Sequence, residues 1–286
     1  MSPALRLVSW NIENLAPWLG QDGPDLARAI EELGQPDVLC LQEIRVRPQD
    51  TELVERMRAA VPGYECHHAL CCDPRNVTYR GGRAYGVATY VRASLAPDRA
   101  ELPPWDREGR VVVTRLPSLA LSIVNLYAVN GTAKPYHDHE LGRLSGDRHA
   151  FKRRMQDRLF ELARDLGRAG GVVMAGDWNV SRAAIDTHPR LRTEEPHARA
   201  RAELNRHLVE AEMVDVYRHR LPLERGYTWF NRSRMTRDAA RVDYILVSAG
   251  LVPAVSEAAI VTAPVGSRSD HVPITLVLDL NPKKTA

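Results

Sequence analysis

The sequence has few cysteines, few lysines and no long apolar run, and each shortage excludes a class of protein. Four cysteines in 286 residues, with Cys71 and Cys72 adjacent, do not make the disulfide framework of a small secreted protein. A transmembrane helix needs a run of about eighteen or more apolar residues, and none is present. The N-terminal stretch 1–11 enters an alternating strand pattern directly, without the features of a signal peptide. We therefore expect a cytoplasmic protein that does not contact membranes.

Lysine is scarce because the basic residues are almost all arginines. Of 39 basic residues only Lys134, Lys152, Lys283 and Lys284 are lysines, which leaves 35 arginines. A GC-rich genome is sufficient to explain this total, although arginine also binds phosphate in a bidentate manner. With 36 acidic residues the formal charge is only +3, so composition alone does not identify a polyanion as a partner.

Neither a repeat of fixed period nor a low-complexity linker divides the chain. We expect one domain over residues 1–286, with an ordered core at about residues 4–280. Apolar residues recur at helical spacing in four segments, 25–33, 51–61, 147–166 and 199–213. Eight β-rich runs lie between them, at 5–10, 38–41, 85–91, 111–116, 119–126, 172–175, 242–247 and 274–280. Several runs are apolar throughout, which predicts a layered α/β fold with strands covered on both faces.

Two stretches hold several metal-capable side chains without a clear metal-site pattern. Residues 66–72 contain three cysteines and two histidines, but a second ligand pair at a conventional zinc spacing is not apparent. A strand followed by a loop is the favoured interpretation there. Residues 131–146, with His137, Asp138 and His139, are interpreted as a surface insertion near the site, and extra metal ligation is the less favoured alternative.

Polar residues stand at the ends of nearly every buried-looking strand. They are Asn11 and Glu13, Gln42 and Glu43, Tyr127 and Asn130, Asp177 and Asn179, Arg241 and Asp243, and Asp270 and His271. Each group alone is explained by a turn, a cap or a solvated strand end. Together they supply carboxylates, amides, a phenol and an imidazole, but no nucleophilic serine or cysteine elbow. Because strand ends cluster in space, the set predicts phosphodiester hydrolysis by metal-activated water.

The order and spacing of these residues resemble the endonuclease/exonuclease/phosphatase superfamily, and within it the exonuclease III-type abasic-site endonucleases. Three signatures are matched, by residues 36–43 (PDVLCLQE), by residues 215–219 (DVYRH) with 227–230 (YTWF), and by residues 241–248 (RVDYILVS). The catalytic blocks are matched by residues 176–179 and 269–271. The resemblance spans residues 5–280 and implies a DNase I-like fold. This fold is a four-layer α/β sandwich, in which two mixed β-sheets pack face to face with helices outside.

The resemblance also implies a Mg²⁺ site, with Mn²⁺ as a substitute. Glu43 would hold the metal, with Asn11 and Asp270 as direct or water-mediated ligands. The implied metal set further includes Asp177, Asn179 and His271. Glu13 occupies a position where relatives often carry an acid that is able to contact metal.

The implied catalytic roles fall on the same strand ends. Asp177 would orient and deprotonate the attacking water, with its carboxylate fixed by Asn179. His271 would face a non-bridging phosphate oxygen and be oriented by Asp243, which predicts that the two side chains lie within about 4 Å of each other. Tyr127 and Asn130 would complete a polar cradle around the phosphate. The sequence leaves open whether Asp177 or His271 is the general base.

Substrate contacts are expected from aromatic residues and arginines. Trp229 and Phe230 would form an apolar wall, with a role as core aromatics equally compatible with the sequence. Arg110 and Arg232 belong to a set of seven loop arginines that would grip a nucleic-acid backbone. The other five are Arg80, Arg83, Arg107, Arg234 and Arg237.

The leading hypothesis is a magnesium-dependent, monomeric DNA hydrolase in repair, either an abasic-site endonuclease or a 3′-exonuclease. The chain departs from the group's pattern at Arg45, where lysine is usual, at Val129, where proline is usual, and at Arg237, Ala239 and Ala240. The departures at Val129, Arg237 and Ala240 favour an alternative in which the same fold and chemistry act on a small phosphate ester. A third hypothesis is an inactive binding module, which the retained acids and His271 disfavour.

Overall fold

The computed structural model describes residues 4–20, 25–73, 75, 85–138, 141–232 and 238–280. Its helices are α1 Leu26–Glu32, α2 Thr51–Ala59, α3 Arg148–Gly167, α4 His197–Glu210 and α5 Val216–Arg220. Its first eight strands are β1 Ala4–Asn11, β2 Val38–Gln42, β3 Tyr64–Ala69, β4 Val87–Arg92, β5 Val111–Leu116, β6 Leu121–Tyr127, β7 Pro135–Asp138 and β8 Arg143–Asp147. The other eight are β9 Gly171–Asp177, β10 Thr187–His188, β11 Met213–Asp215, β12 Trp229–Phe230, β13 Ala239–Ala240, β14 Asp243–Ser248, β15 Val255–Ile260 and β16 Ile274–Asp279.

Two large sheets form the centre of the protein. The six-stranded sheet has the order β15-β16-β1-β2-β4-β3, and the five-stranded sheet has the order β11-β14-β9-β6-β5. Both sheets are mixed, because β1 is parallel to β2 but antiparallel to β16, and β9 is parallel to β6 but antiparallel to β14. Strands β10, β13 and β12 form a small third sheet, and β7 pairs with β8.

Alternate side chains of the central strands enter different apolar layers. In β9, Val173 packs against the other large sheet, whereas Met174 packs under α3 and α4. In β1, Leu7 faces the space between the sheets and Val8 packs against α1 and α2. Both faces of each sheet are therefore covered, which is why these strands are apolar throughout. The order of layers is helices, sheet, sheet, helices, and the predicted four-layer α/β sandwich is confirmed.

Two amide side chains join the sheets inside the sandwich. The Gln42 amide nitrogen donates to Oδ1 of Asn125 at 2.8 Å, and both residues are fully buried. The Asn125 amide nitrogen in turn donates to the carbonyl oxygens of Leu41 and Ala88. A buried amide is costly unless it is hydrogen-bonded, so this pairing ties β6 to β2 and β4 in one alignment.

The predicted helices and strands all lie within three residues of their expected bounds, but the structure also contains short elements that were not predicted. The helix predicted to reach Met213 ends at Glu210, and Met213 instead begins β11. Strand β15 was not expected, since its exposed Ser256 and Glu257 interrupt the apolar pattern at the sheet edge. Helix α5 is too short to show a helical period. The 131–146 insertion contains β7 and most of β8, whereas the cysteine-rich stretch is a strand followed by coil, as expected. No helix in the described part of the chain is both long and apolar enough to cross a membrane.

Candidate active site

The strand pairing brings the predicted polar strand ends to one edge of the sandwich. At the carboxyl ends of parallel strands, Asn11 is level with Gln42 and Tyr127 is level with Asp177. Asp177 is also level with Asp243, because β14 runs antiparallel to β9 and begins where β9 ends. The sheet topology therefore places residues far apart in sequence around a common centre.

Gly176 allows β9 to approach β6 immediately before Asp177. A Cβ atom at this position would lie 1.8 Å from the carbonyl oxygen of Leu126 and would force the backbone to shift. Only glycine fits this close approach. Residues 176–179, which match a catalytic block of the family, thus begin with a glycine that strand packing requires.

The Asn11 amide lies between two carboxylates. Its Nδ2 atom donates to Oε1 of Glu43 at 3.1 Å and to Oδ2 of Asp177 at 3.0 Å. Its Oδ1 atom accepts the Glu13 backbone N–H at 3.0 Å, which fixes the orientation of the amide. Asn11 therefore presents its nitrogen to the two acids and orients them.

Asp177 is buried and held at both carboxylate oxygens. Its Oδ1 accepts the backbone N–H of Asn179 at 2.8 Å, and the Asn179 amide nitrogen donates to the Ala128 carbonyl at 2.9 Å. Burial raises the pKa of Asp177, and the nearby Asp243 carboxylate raises it further, against the opposing effect of His271. Asn179 Oδ1 makes no hydrogen bond within the described residues, so it is available to a ligand.

His271 forms a hydrogen-bonded pair with Asp243. The distance from Nδ1 to Asp243 Oδ2 is 2.8 Å, and the prediction that these side chains lie within about 4 Å is confirmed. The other ring nitrogen, Nε2, lies 3.8 Å from Asp177 Oδ2. Burial alone lowers the pKa of His271, but the charges of Asp243 and Asp177 outweigh burial and raise it above the usual value.

Thr228 supports this pair and was missed by the sequence analysis. Its fully buried hydroxyl accepts the backbone N–H groups of Val242 and Asp243, each at 3.1 Å. These two bonds fix the backbone where β14 begins. Thr228 lies in the matched stretch 227–230, but only Trp229 and Phe230 were given a role there.

Asp270 and Trp229 meet at the outer side of the centre. The indole Nε1 donates to Asp270 Oδ2 at 3.0 Å, and the other oxygen of Asp270 lies 3.9 Å from His271 Nε2. Trp229 is half-buried and Phe230 is 43% exposed, so neither is a core aromatic. Trp229 thus orients an acid, and Phe230 offers an apolar surface beside it.

Tyr127 lies beside a buried arginine. The Arg110 guanidinium is 4.8 Å from the centre of the Tyr127 ring and donates to the Tyr127 carbonyl oxygen at 3.1 Å. Arg110 is only 2% exposed and is paired with Glu108, so it is not placed to grip a substrate as expected from the sequence. Its position instead fixes Tyr127. Asn130 is exposed at the end of the same segment.

Two other arginines lie among the acids of the centre. Arg45 Nη2 is 2.6 Å from Glu43 Oε2, and Arg45 Nη1 is 3.6 Å from Glu13. Arg232 contacts the Glu13 carboxylate and lies 4.0 Å from Asp270. Arg107 is exposed, whereas four of the seven predicted arginines lie outside the described residues: Arg80, Arg83, Arg234 and Arg237.

The donor set suits a hard divalent cation. Glu43 and Asp177 both contact one amide nitrogen, so two like charges are held close together, and Asp270 adds a third carboxylate 3.9 Å from His271 Nε2. Atoms of Asp177, Asp243 and His271 also lie within 4.8 Å of one another, but the bond between Asp243 and His271 already occupies their facing atoms. Carboxylate and amide oxygens are ligands that fit Mg²⁺ or Mn²⁺.

Comparison with known proteins agrees with this geometry. The Endonuclease/Exonuclease/phosphatase family matches residues 8–271. The chain belongs to this family. The family, the fold and the expectation of a hydrolase from this family are thereby confirmed.

Individual members of the Endonuclease/Exonuclease/phosphatase family align along nearly the whole chain. The chain is 30% identical to Recombination repair protein 1 of Drosophila melanogaster over 96% of its own length, but it spans 37% of that protein. It is 23% identical to an exodeoxyribonuclease of Bacillus subtilis over 96% of its own length and 100% of the relative. Among solved structures it is similar to the 3′-5′ exonuclease NExo of Neisseria meningitidis, with a TM-score of 0.72, 23% identity and coverage of 96% and 100%. It is also similar to the catalytic domain of Xenopus laevis APE2, with a TM-score of 0.73, 23% identity and coverage of 96% and 92%.

Charged residues from the second and third signatures form a buried ion network in this protein. Arg241 binds Asp215 through two bonds, at 3.0 and 2.8 Å, and binds Asp186 at 2.8 Å. Arg182 and Arg218 pair with the same two acids. These residues hold the segment before Asp243 in place and do not reach the centre. The motif is visible in the sequence, but its role in this ion network is not.

Proposed function

We propose that this protein hydrolyses phosphodiester bonds in DNA, as an abasic-site endonuclease or a 3′-5′ exonuclease in DNA repair. The observation that carries the proposal is the arrangement of Glu43 and Asp177 on one amide group, opposite the Asp243–His271 pair. The names of its relatives support DNA as the substrate, since they include an exodeoxyribonuclease and an abasic-site endonuclease of Dictyostelium discoideum. A solved relative, the NExo 3′ phosphatase, was bound to a product DNA hairpin.

Two residues are positioned to manage the proton of the attacking water. Asp177 would orient the water and accept its proton, with Asn179 Oδ1 as a second acceptor for the same water. His271 is the alternative base, and otherwise donates a hydrogen bond from Nε2 to a non-bridging phosphate oxygen. Asp243 fixes the tautomer and orientation of that imidazole. Tyr127 and Asn130 would donate to the remaining phosphate oxygens.

A Mg²⁺ ion would be held by Glu43 and Asp270, with Asp177 and Asn179 as further oxygen donors and Mn²⁺ as a substitute. When bound, the ion supplies the positive charge that polarises the phosphate and stabilises the leaving oxyanion. Asn11 and His271 would stand beside these ligands, with Asn11 orienting the carboxylates by its amide nitrogen. The protein would act as a monomer, with Phe230 and Arg232 at the DNA-facing rim.

Cleavage assays on four substrates test the proposal. Purified protein is given a duplex with one abasic-site analogue, a recessed 3′ end, a 3′-phosphorylated end, or a small aryl phosphodiester, with Mg²⁺ and then with a chelator. We expect Mg²⁺-dependent cleavage of at least one DNA substrate, and loss of that activity in Asp177→Asn. Turnover of the small ester alone would support the alternative substrate class. Failure to cleave any substrate, or full activity in Asp177→Asn, would contradict the mechanism.

A further inference from the structure

A lysine is buried behind the candidate active site, at the start of the apolar face of α3. The buried positions of this helix continue through Met155, Leu159 and Phe160, so the helical period places Lys152 where an apolar residue is expected. Lys152 is only 6% exposed. A lysine is seldom buried unless its ammonium group has a partner, so its presence on this face requires an explanation.

The partner of Lys152 is the backbone of the catalytic turn. The ammonium nitrogen Nζ donates to the carbonyl oxygen of Asn179 at 2.6 Å. Lys152 reaches Asn179 from the helix layer, since it lies on α3. The contact therefore joins α3 to the segment that follows β9, across a separation of 27 residues.

Asn179 has its backbone in the left-handed region, with φ at 53°, and several hydrogen bonds hold it there. Its own N–H donates to Asp177 Oδ1, and its amide nitrogen donates to the Ala128 carbonyl. With the bond from Lys152, every polar group of Asn179 except Oδ1 has a partner within the described residues. A turn held at three points keeps the remaining oxygen, and the Asp177 carboxylate, in a fixed direction.

We propose that Lys152 is a positioning residue, which fixes the Asp177–Asn179 turn from behind so that Asp177 and Asn179 Oδ1 keep their places in the site. The proposal rests on the proposed function in one respect, since it takes this turn to be catalytic. A long side chain with a charged donor suits the task, because it spans the apolar layer under the helix and still reaches a backbone carbonyl.

Nuclear magnetic resonance tests the contact without substrate or metal. In protein labelled with ¹⁵N-asparagine, the Asn179 amide signal is assigned from its loss in Asn179→Asp. In Lys152→Met we expect this signal to shift and its solvent exchange to quicken by about tenfold or more, since the turn loses one of its three anchors. Lys134→Met is the matched control, because Lys134 is exposed. Should Lys152→Met not fold, the same measurement on Lys152→Gln decides, and an unchanged Asn179 signal in the folded variant overturns the proposal.

Kinetics then separate positioning from a merely structural role. We expect Lys152→Met to lower kcat by about tenfold to 100-fold with KM nearly unchanged, because a small misplacement of reacting groups slows chemistry more than binding. Lys152→Arg, which keeps the charged donor, should recover most of the lost kcat. An altered Asn179 signal together with unchanged kcat would overturn the catalytic consequence. Full activity in Asp177→Asn would instead remove the proposed function, while the contact test of Lys152 would still stand.

Discussion

His271 Nδ1 and Asp243 Oδ2 lie 2.8 Å apart inside the protein, although 28 residues separate them in sequence. The bond leaves Nε2 at 3.8 Å from Asp177 Oδ2, so the ring lies between the Asp243 and Asp177 carboxylates. Because the two negative charges outweigh burial, the pKa of His271 lies above its usual value. In the metal-free protein the imidazole therefore keeps its proton at neutral pH.

Replacing the Asp243 carboxylate by an amide tests how strongly His271 depends on it. We expect Asp243→Asn to lower kcat by about 100-fold or more, because the ring loses both its orientation and the charge that favours its proton. With a lower pKa for His271, activity that needs the protonated ring should be lost at a lower pH than in the wild type. A pH–rate profile checks this, and superimposable profiles would refute the role given to Asp243.

The ionised carboxylate of Asp177 should lower the free energy of unfolding of the metal-free protein as the pH rises. Burial and Asp243 raise its pKa, so folding favours the protonated carboxyl, and stability is lost as the pH rises from about 4 through the folded pKa. We expect Asp177→Asn to have a larger free energy of unfolding than the wild type at pH 8 without metal, by about 1 kcal/mol, and a smaller advantage at pH 5. Urea titrations at both pH values give the comparison. An advantage that does not grow with pH would argue against this cause.

A divalent metal ion should make the wild type more stable than Asp177→Asn. A ligand that binds only the folded state adds about 2.7 kcal/mol at 100 times its Kd. We expect Mg²⁺ to raise the Tm of the wild type, and to raise it less in Glu43→Gln and Asp177→Asn. Glu65→Gln, a change at an acid on β3 away from the site, serves as the control. Equal shifts in all four proteins would place the metal elsewhere.

Two buried tyrosines should separate activity from stability. The Tyr127 hydroxyl makes no hydrogen bond to a described residue, whereas the Tyr90 hydroxyl donates to the Met57 carbonyl at 2.7 Å. We expect Tyr127→Phe to lower kcat by about tenfold or more with little change in stability. Tyr90→Phe should cost about 1 kcal/mol of stability and leave kcat unchanged. Both are read from thermal melts and steady-state rates, and the reverse pattern would contradict the assignment of Tyr127.

The buried ion network should control stability rather than catalysis. Burial alone would raise the pKa of Asp215, but Arg241 and Arg182 outweigh it and hold that pKa below its usual value. Its contribution to stability is therefore present above about pH 4 and is lost as the pH falls further. We expect Asp215→Asn to lower the free energy of unfolding at pH 7 by about 3–5 kcal/mol. Asp165→Asn, in the exposed pair with Arg168, should change it by less than about 0.5 kcal/mol, and equal effects would refute the distinction.

The central strands and the residues of the site were predictable from the sequence for a physical reason. A strand covered on both faces must be apolar throughout, so a polar residue at its end is conspicuous, as Asp177 and Glu43 are. The edge strand β15 carries no such contrast, because one of its sides faces solvent. Pattern alone therefore finds the centre of each sheet better than its margins.

What the sequence could not supply was the partner of each polar group. Arg110 and Arg232 look alike in sequence, yet one is buried under Tyr127 and the other is half exposed beside Glu13. The amide orientation of Asn11 is another such contact, because the hydrogen bond from the Glu13 backbone determines which atom faces the acids. Lys152 lies in a helix rich in arginine, and the sequence does not show that it contacts Asn179. Each of these roles depends on contacts between distant segments, which local pattern does not encode.

Strand β16, which follows His271, lies inside the six-stranded sheet between β1 and β15. During translation the β1 edge must therefore wait for a partner made more than 260 residues later. A chain stalled on the ribosome before residue 270 leaves this edge of β1 open and lacks His271. The order of the strands thus leaves β1 with an unpaired edge until synthesis is nearly complete, and an unpaired strand edge is a place where chains associate and aggregate.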